Sequence, residues 1–430
     1  MFNLEDRIRS RIVRTFKNRG FDAAIGRIKW RGIRLTLDDL ILDKADGSGQ
    51  SVRIDKLTVG LSLWRSLIHL ALEGGMIIEG IFLDLRVVSD KALVLQSIEA
   101  AFRIRKNGQL LQVKTGGVAA VLRHTRKKSQ DDFSLQIPDT AWDDLIGVLD
   151  GHLLCPFIAG SRSESRISLM AFFRFAKGNA LPLSWAEIKW DGLSLKSKIR
   201  FQKPSKVDPD YLIRILDEKL GIERNGQYVS FEQLPDNLVN AFISTEDPRY
   251  WAHSGVCLYG LGIALRENVR TRKFSRGAST ITMQVARNLF LTHNRNLARK
   301  TEEAMMALLL ENYYRIDKRT IFELYANLIE FAPGVYGVQN AARFYFDKEL
   351  SALSLTDILV LTYIIPRPKH FYDALLAKTG QLQTNLRLHI CNFASTMLGK
   401  EMISPAEYDS IDYTLRFAPS FGTLDLTKQA

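Results

Sequence analysis

The spacing of apolar residues changes once along this chain, and that change limits its possible folds more than any other feature. From Ile25 to about Val88 the apolar positions alternate, as in Arg27-Ile-Lys-Trp-Arg-Gly-Ile-Arg-Leu-Thr-Leu37, Ser51-Val-Arg-Ile-Asp-Lys-Leu-Thr-Val59 and Ile81-Phe-Leu-Asp-Leu-Arg-Val87. A period of two over such short runs predicts half-buried antiparallel strands, because successive side chains point to opposite faces. More strands are expected at 100–105, 109–114, 118–124 and 132–137, with a short helix over 64–72. Past the charged, proline-bearing stretch 202–210 the period becomes helical almost throughout. Helices are expected over 210–219, 235–246, 258–269, 279–290, 297–314, 318–328, 337–345, 355–364 and 378–397. The fold class is therefore α+β, with an antiparallel β-rich domain over 1–203 and a mostly α-helical domain over 204–430.

Ahead of the strands, Leu4, Ile8, Ile12, Val13 and Phe16 share one face of a helix crowded by Arg7, Arg9, Arg11, Arg14 and Lys17. Such a helix either lies on an anionic membrane or packs on its own domain. The run 126–132 reads as a solvated charged turn. Ile28-Lys-Trp-Arg-Gly-Ile-Arg-Leu35 returns as Ile188-Lys-Trp-Asp-Gly-Leu-Ser-Leu195, which suggests that one strand unit opens and closes the first domain.

Composition narrows the function. Hydrophobic residues make up 46% and charged residues 25%, as in folded protein, so global disorder is excluded. The net charge of +12 favours anionic partners, but no zinc-finger or RNP-like motif accompanies it, and nucleic acid is not expected. Cys155, Cys257 and Cys391 are too dispersed for a disulfide framework, and no H-E-x-x-H pair supports a zinc hydrolase. The longest apolar run, 353–366, is short and interrupted by Asp357, so neither a spanning helix nor a signal peptide is expected.

Chemistry-bearing residues cluster in 240–346. Glu246 and Asp247 are followed by Tyr250 and His253. If this segment is helical, Glu246, Tyr250 and His253 occupy one face. Glu303 has Arg299 four residues before it, and between the two glutamates lies a run holding Ser279, Thr280, Gln284, Arg287 and Asn288. Two glutamates bracketing hydroxyl, amide and cationic groups suit sugar chemistry on a charged substrate. Each cluster also has a plainer reading: a solvated helix end, an i, i+4 ion pair, a helix cap.

In order and content the motifs resemble the family 51 glycosyltransferases, the peptidoglycan transglycosylases, over roughly 222–412. The first, E-D-x-x-F-x-x-H-x-G, is Glu246-Asp-Pro-Arg-Tyr-Trp-Ala-His-Ser-Gly255; the second, G-x-S-T-I-x-x-Q-x-x-K-N, is residues 277–288 with Arg287 for lysine. The third is Arg299-Lys-Thr-Glu-Glu303, the fourth holds Lys318, Ile321, Glu323, Tyr325 and Asn327, and the fifth runs over 334–346. The resemblance implies a lysozyme-like helical domain that polymerises lipid II with release of undecaprenyl pyrophosphate. It implies Glu246 as the general base on the attacking 4-hydroxyl and Glu303 at the leaving side, the latter holding the basic residues or a divalent cation, Mg2+ or Mn2+. Arg287, Arg295, Arg299 and Lys300 would face the pyrophosphate, a site the inhibitor moenomycin occupies in the family. Ser279, Thr280, Gln284 and Asn288 would act as donors there, Asp247, Tyr250 and His253 would join the substrate contacts, and Glu323 and Tyr325 would shape the site from a neighbouring helix. The apolar stretch 256–265 would dip into the bilayer. Cys257 stands where the family often has aspartate, and Glu302 adds a negative charge where a basic or polar residue is common.

The opening pattern G-x-I-x-W-x-G-I-x-L-x-L-x-D-L, from Gly26 to Leu40, resembles AsmA-like envelope proteins, β-rich modules of a lipid-handling superfamily. Together the resemblances imply a bacterial envelope protein on the periplasmic face of the cytoplasmic membrane. Its partners would be lipid II, the growing glycan strand, the membrane surface and other cell-wall synthesis proteins. No transpeptidase motif set is seen, so a monofunctional polymerase is expected, anchored by a spanning segment upstream of Leu4 or, as the alternative, held peripherally by the basic face of 7–17 with the apolar stretch 256–265. A weakly catalytic envelope scaffold and a lysozyme-like hydrolase are the competing readings, and cations for a pyrophosphate argue against the hydrolase.

Overall fold

The computed structural model describes residues 4–62, 66, 71–84, 93–126, 130–149, 166–176, 207–221, 227–257, 259–260, 263, 279–291, 297–377 and 380–427. Two compact units emerge. The first holds residues 1–205 together with Leu258–Gly277 and Thr292–Glu302; the second holds Lys206–Cys257, Ala278–Leu291 and Glu303–Ala430.

The first unit is a nine-stranded antiparallel meander in which every strand pairs with its neighbour in sequence. Its strands are β1 (Phe21–Arg31), β2 (Arg34–Lys44), β3 (Ser51–Leu61), β4 (Leu72–Asp84), β5 (Leu93–Arg105), β6 (Gly108–Thr115), β7 (Val118–Arg126), β8 (Gln130–Ala141) and β9 (Arg166–Ala176). Alternation is what builds it: Ile25, Ile28, Leu37, Leu40, Leu42 and Val52 come to one face and form a buried cluster. Helix α1 (Leu4–Lys17) lies on that cluster through Ile8, Ile12, Val13 and Phe16. Its acidic first turn and basic last turn complement the helix dipole. The apolar face that could have entered a bilayer is spent on the sheet, so the packing reading of this helix replaces the membrane one. A second helix, α2 (Trp142–Leu149), follows β8 and buries Trp142 and Ile146. Most of the expected 64–72 helix lies outside the described residues, and Leu72 itself opens β4. The repeated segment 188–195 also lies outside them, and so does most of the 202–210 stretch. Within the expected 126–132 turn, Arg126 closes β7 and Gln130 opens β8.

The second unit is helical, and several of its helices begin on side-chain caps. Helix α3 (Pro209–Leu220) has Pro209 in its first turn, Asp208 accepting from the Tyr211 N–H, and Gly221 in a left-handed cap. It is followed by α4 (Asp236–Glu246), α5 (Ile281–Phe290), α6 (Leu297–Leu308, which belongs to this unit from Glu303 onward), α7 (Lys318–Leu328), α8 (Val338–Phe346), α9 (Leu355–Ile364), α10 (Pro368–Leu376), α11 (Gly380–Gly399) and α12 (Pro405–Asp409). The expected 258–269 helix falls largely outside the described residues. Helix α9 is buried almost all round, as its lack of a polar face predicts, and it packs on both α4 and α11. Phe242, Tyr250, Phe322, Tyr325 and Phe331 are fully buried. They meet edge-to-face or tilted, with Phe242 to Tyr325 at 6.5 Å and Tyr250 to Phe322 at 6.0 Å. This aromatic cluster is the floor on which the first and fourth motifs sit. Short hairpins at Glu330–Ala332 with Val335–Tyr336, and at Thr414–Arg416 with Thr423–Asp425, complete the unit.

Candidate active site

Glu246 is the last residue of α4, and the helix stops there for a local reason. Asp247 precedes Pro248, which disfavours helical backbone before it, and Asp247 takes φ −151°. The chain then makes a separate short turn over Tyr250–Ala252. A single helical face carrying Glu246, Tyr250 and His253 is therefore not formed; the proline prevents it.

The break sends these side chains to different tasks. Asp247, 3% exposed, accepts from the Ile281 N–H at the start of α5 (3.1 Å) and meets His253 Nε2 at 2.9 Å. The Tyr250 hydroxyl, fully buried, donates to the Lys318 carbonyl at 2.6 Å, and the Lys318 ammonium stands 4.3 Å from the centre of the Tyr250 ring. Thr280 caps α5: its oxygen accepts from the Met283 N–H (3.1 Å) while its hydroxyl donates to the Gly255 carbonyl (2.6 Å). Gly255 has φ +85°, and a Cβ there would stand 2.5 Å from the Ala307 carbonyl oxygen, so only glycine fits. Asp247, Tyr250, His253 and Thr280 thus bind one another and the backbone. These contacts hold the first, second and fourth motifs together.

Glu246 turns the other way. Its carboxylate accepts from Gln284 Nε2 at 2.9 Å. Burial pushes its pKa up, the charge of Asp247 adds to this, and the Gln284 hydrogen bond and the Arg287 charge partly oppose it. Gln284, Arg287 and Asn288 lie at i, i+3 and i+4 on the half-buried face of α5, while Ile281, Val285, Ala286 and Leu289 face the core. Arg287 Nε donates to Asn288 Oδ1 at 3.1 Å, which fixes the guanidinium along that face. Ser279, half-buried, lies just ahead of the cap. Tyr325 is fully buried and bears on the same carboxylate: burial first, then the charge of Glu246, pushes its phenol well above the usual range.

On α6, Arg299 and Glu303 lie one turn apart; Arg299 is 8% exposed and Glu303 is 0% exposed. Glu302 is also 0% exposed. Lys300 is half-buried on the same helix. Arg295 and most of 256–265 lie outside the described residues, although Cys257 lies within them, half-buried. Glu311 has no counterpart among the expected residues. It sits in the π-helical turn Leu309–Tyr313 and accepts from the Thr282 hydroxyl (2.5 Å) and the Lys318 ammonium (2.9 Å). Lys318, opening the fourth motif, was its only sequence signal, because a π-turn leaves no periodic trace. Glu323 accepts from the Tyr228 hydroxyl (2.5 Å) and the Phe231 N–H (2.7 Å), which bears out its structural reading.

A family model described as Transglycosylase matches residues 214–390. Over 162 residues, 38% of this chain and 70% of the relative, the chain is 35% identical to the biosynthetic peptidoglycan transglycosylase of Chromobacterium violaceum. The chain belongs to the transglycosylase family. It is also 36% identical over 190 residues to penicillin-binding protein 1A of Aquifex aeolicus, covering 44% of this chain and 25% of that protein. With the biosynthetic peptidoglycan transglycosylase of Nitrosomonas eutropha it shares 39% identity over 147 residues, 34% of this chain and 59% of the relative. Of these two curated relatives it spans a quarter and about three-fifths. The site just described lies in the transglycosylase region. Among the described residues no three His, Cys, Asp or Glu side chains converge as a metal site. Among the described residues no helix is long and apolar enough to cross a membrane.

Proposed function

We propose that this transglycosylase polymerises lipid II into β-1,4 glycan chains with release of undecaprenyl pyrophosphate. The observation that carries the reading is the Glu246 carboxylate, held by Gln284 beside Arg287, with its pKa raised by burial. A base near neutrality is what deprotonation of a sugar hydroxyl requires. In the proposed step Glu246 takes the proton of the acceptor 4-hydroxyl as that oxygen attacks the donor's anomeric carbon. The bond from that carbon to the pyrophosphate oxygen breaks, the electron pair leaves with the pyrophosphate, and the configuration inverts. Arg287, Arg299 and Lys300 meet the growing negative charge, with Ser279 and Asn288 as donors, while Gln284 serves the Glu246 carboxylate. Glu303, four residues after Arg299 on the same helix, acts at the leaving side. The hydrogen-bonded set of Asp247, His253, Tyr250, Lys318, Thr282 and Glu311 keeps α4, α5 and α7 in register. The proposed setting is the periplasmic face of the cytoplasmic membrane, where lipid II and the nascent strand are presented, beside other wall-synthesis proteins.

Incubation of the full chain with labelled lipid II tests the reading. Ladders of glycan on a gel are expected; lipid II recovered unchanged under conditions that support a known polymerase would overturn it.

A further inference from the structure

The antiparallel order of the meander sends the 31–34, 61–72 and 105–108 connections to the same end of the sheet. Exposed apolar side chains gather there: Trp30 (50% exposed), Ile33 (46%), Leu61 (36%), Leu72 (47%) and Ile104 (43%). They are neighbours. The Leu61 N–H donates to the Ile33 carbonyl at 3.1 Å, and Leu72 stands directly across from Ile104. Arg31, Arg34, Arg105 and Lys106 are exposed at the same strand ends, and none of the described residues in these connections is acidic. The opposite end differs. Its 45–50 turn is glycine-rich with Asp46 paired to Lys44 at 2.7 Å, and Val94 is the one large apolar side chain exposed near it among the described residues.

A single exposed leucine carries no meaning, but a tryptophan and four aliphatic side chains at one end, ringed by cations, are a composite surface. The indole suits the headgroup level, the cations suit lipid phosphates, and the aliphatic groups gain only by reaching an acyl boundary. Nucleic acid would satisfy the cations and the indole but leave Ile33, Leu61, Leu72 and Ile104 in water. We infer that this end of the sheet docks on an anionic phospholipid bilayer, with Trp30 and Ile33 at the headgroup–acyl boundary and the four basic residues against phosphate. The inference gives the proposed membrane setting a specific surface, and it rests on that reading for its purpose only, because the test below uses vesicles that contain no lipid II.

The full chain is sedimented with phosphatidylglycerol–phosphatidylcholine vesicles and with phosphatidylcholine vesicles alone. Binding to the anionic vesicles, weakened by salt, is expected. The pair Arg31→Ser and Arg34→Ser should lower partitioning about 30-fold, roughly fivefold per charge. The pair Trp30→Ser and Ile33→Ser should lower it at least about tenfold, and Val94→Ser should leave it unchanged. Circular dichroism reports whether the serine pairs fold. Trp30→Phe, which keeps a ring at the tip, should sediment like the parent yet show less quenching of tryptophan emission by brominated lipid. Absence of anionic-vesicle binding by the parent, parental binding by both folded serine pairs, unchanged quenching in Trp30→Phe, or tighter binding to a DNA oligonucleotide than to vesicles would each overturn the inference.

Discussion

The two units close their structures in opposite ways. In the sheet, every strand bonds to its sequence neighbour, and the buried cluster under α1 draws only on β1 to β3. In the helical unit the closing bonds join distant residues: Tyr250 to Lys318, 68 positions apart; Asn327 to Val229, 98; and Asn237 to Glu407, 170. Many of those partners are buried and polar. A local meander can be extended or trimmed strand by strand, whereas a buried polar network must be assembled whole. The chemistry resides in the second kind of structure because a carboxylate of raised pKa needs dense, long-range surroundings to stay buried.

The sharpest way to break this comparison is Glu246→Gln. The amide keeps the shape but cannot accept a proton, so glycan formation should fall at least ~100-fold. Stability should move in the opposite direction. A folded-state pKa raised above the unfolded one contributes stability at low pH that is lost as pH rises through the folded value. At neutral pH the parent therefore bears the cost of a buried charge, and the variant should melt higher than the parent, most visibly above the raised pKa. A variant that polymerises at the parental rate, or melts below it at neutral pH, would contradict the site's reading as functional strain.

Next in size is Asn327→Ala. Asn327 is 1% exposed; its amide accepts from the Val229 N–H at 2.9 Å and donates to the Val229 carbonyl at 2.8 Å. Alanine leaves both groups buried and unpaired, at a cost of about 3 kcal/mol. Scanning calorimetry should show the helical transition lowered and the sheet transition unmoved. Equal shifts in both would mean that the units do not melt separately.

How much of this was legible depended on range. The strand runs were readable because alternation is local, and so were the caps at Asp208 and Thr280, which depend on neighbours within three residues. The helix break after Glu246 was also written locally, in Pro248, yet the spacing of Glu246, Tyr250 and His253 suggested one face. Burial was the unreadable part. Nothing in the spacing of Asp247, Tyr250 or Thr280 says that each is turned inward, because the partners that bury them lie in other motifs. The closing of the π-turn on Glu311 was hidden for the same reason, and so was the outcome for α1, whose basic and apolar pattern suits a bilayer and a sheet equally well.

A milder cut belongs in the sheet. Ile28, 2% exposed, is at the centre of the cluster under α1, and Ile28→Val removes one methylene at about 1 kcal/mol. Because the sheet closes locally, the loss should appear as faster amide exchange in β1, β2 and α1. Turnover of detergent-dispersed lipid II should not change. A drop in turnover matching that seen for changes in the helical unit would show that the sheet supports the site energetically.

The smallest expected effect tests the helical side at its most local point. Gln284 donates to the Glu246 carboxylate and so favours its charged form, against burial. Gln284→Leu keeps the volume but removes the donor. The sign follows directly: a hydrogen bond to the ionised form lowers a pKa, so losing it raises that of Glu246 further. The acid limb of the pH–rate profile, where the base must lose its proton, should then move to higher pH, while the plateau rate well above that limb stays near the parental value. At neutral pH the loss should be less than about tenfold, smaller than deleting the base itself. An acid limb that stays in place while the plateau falls would recast Gln284 as a substrate-binding group, and the Gln284 contact would then not be opposing the burial of Glu246.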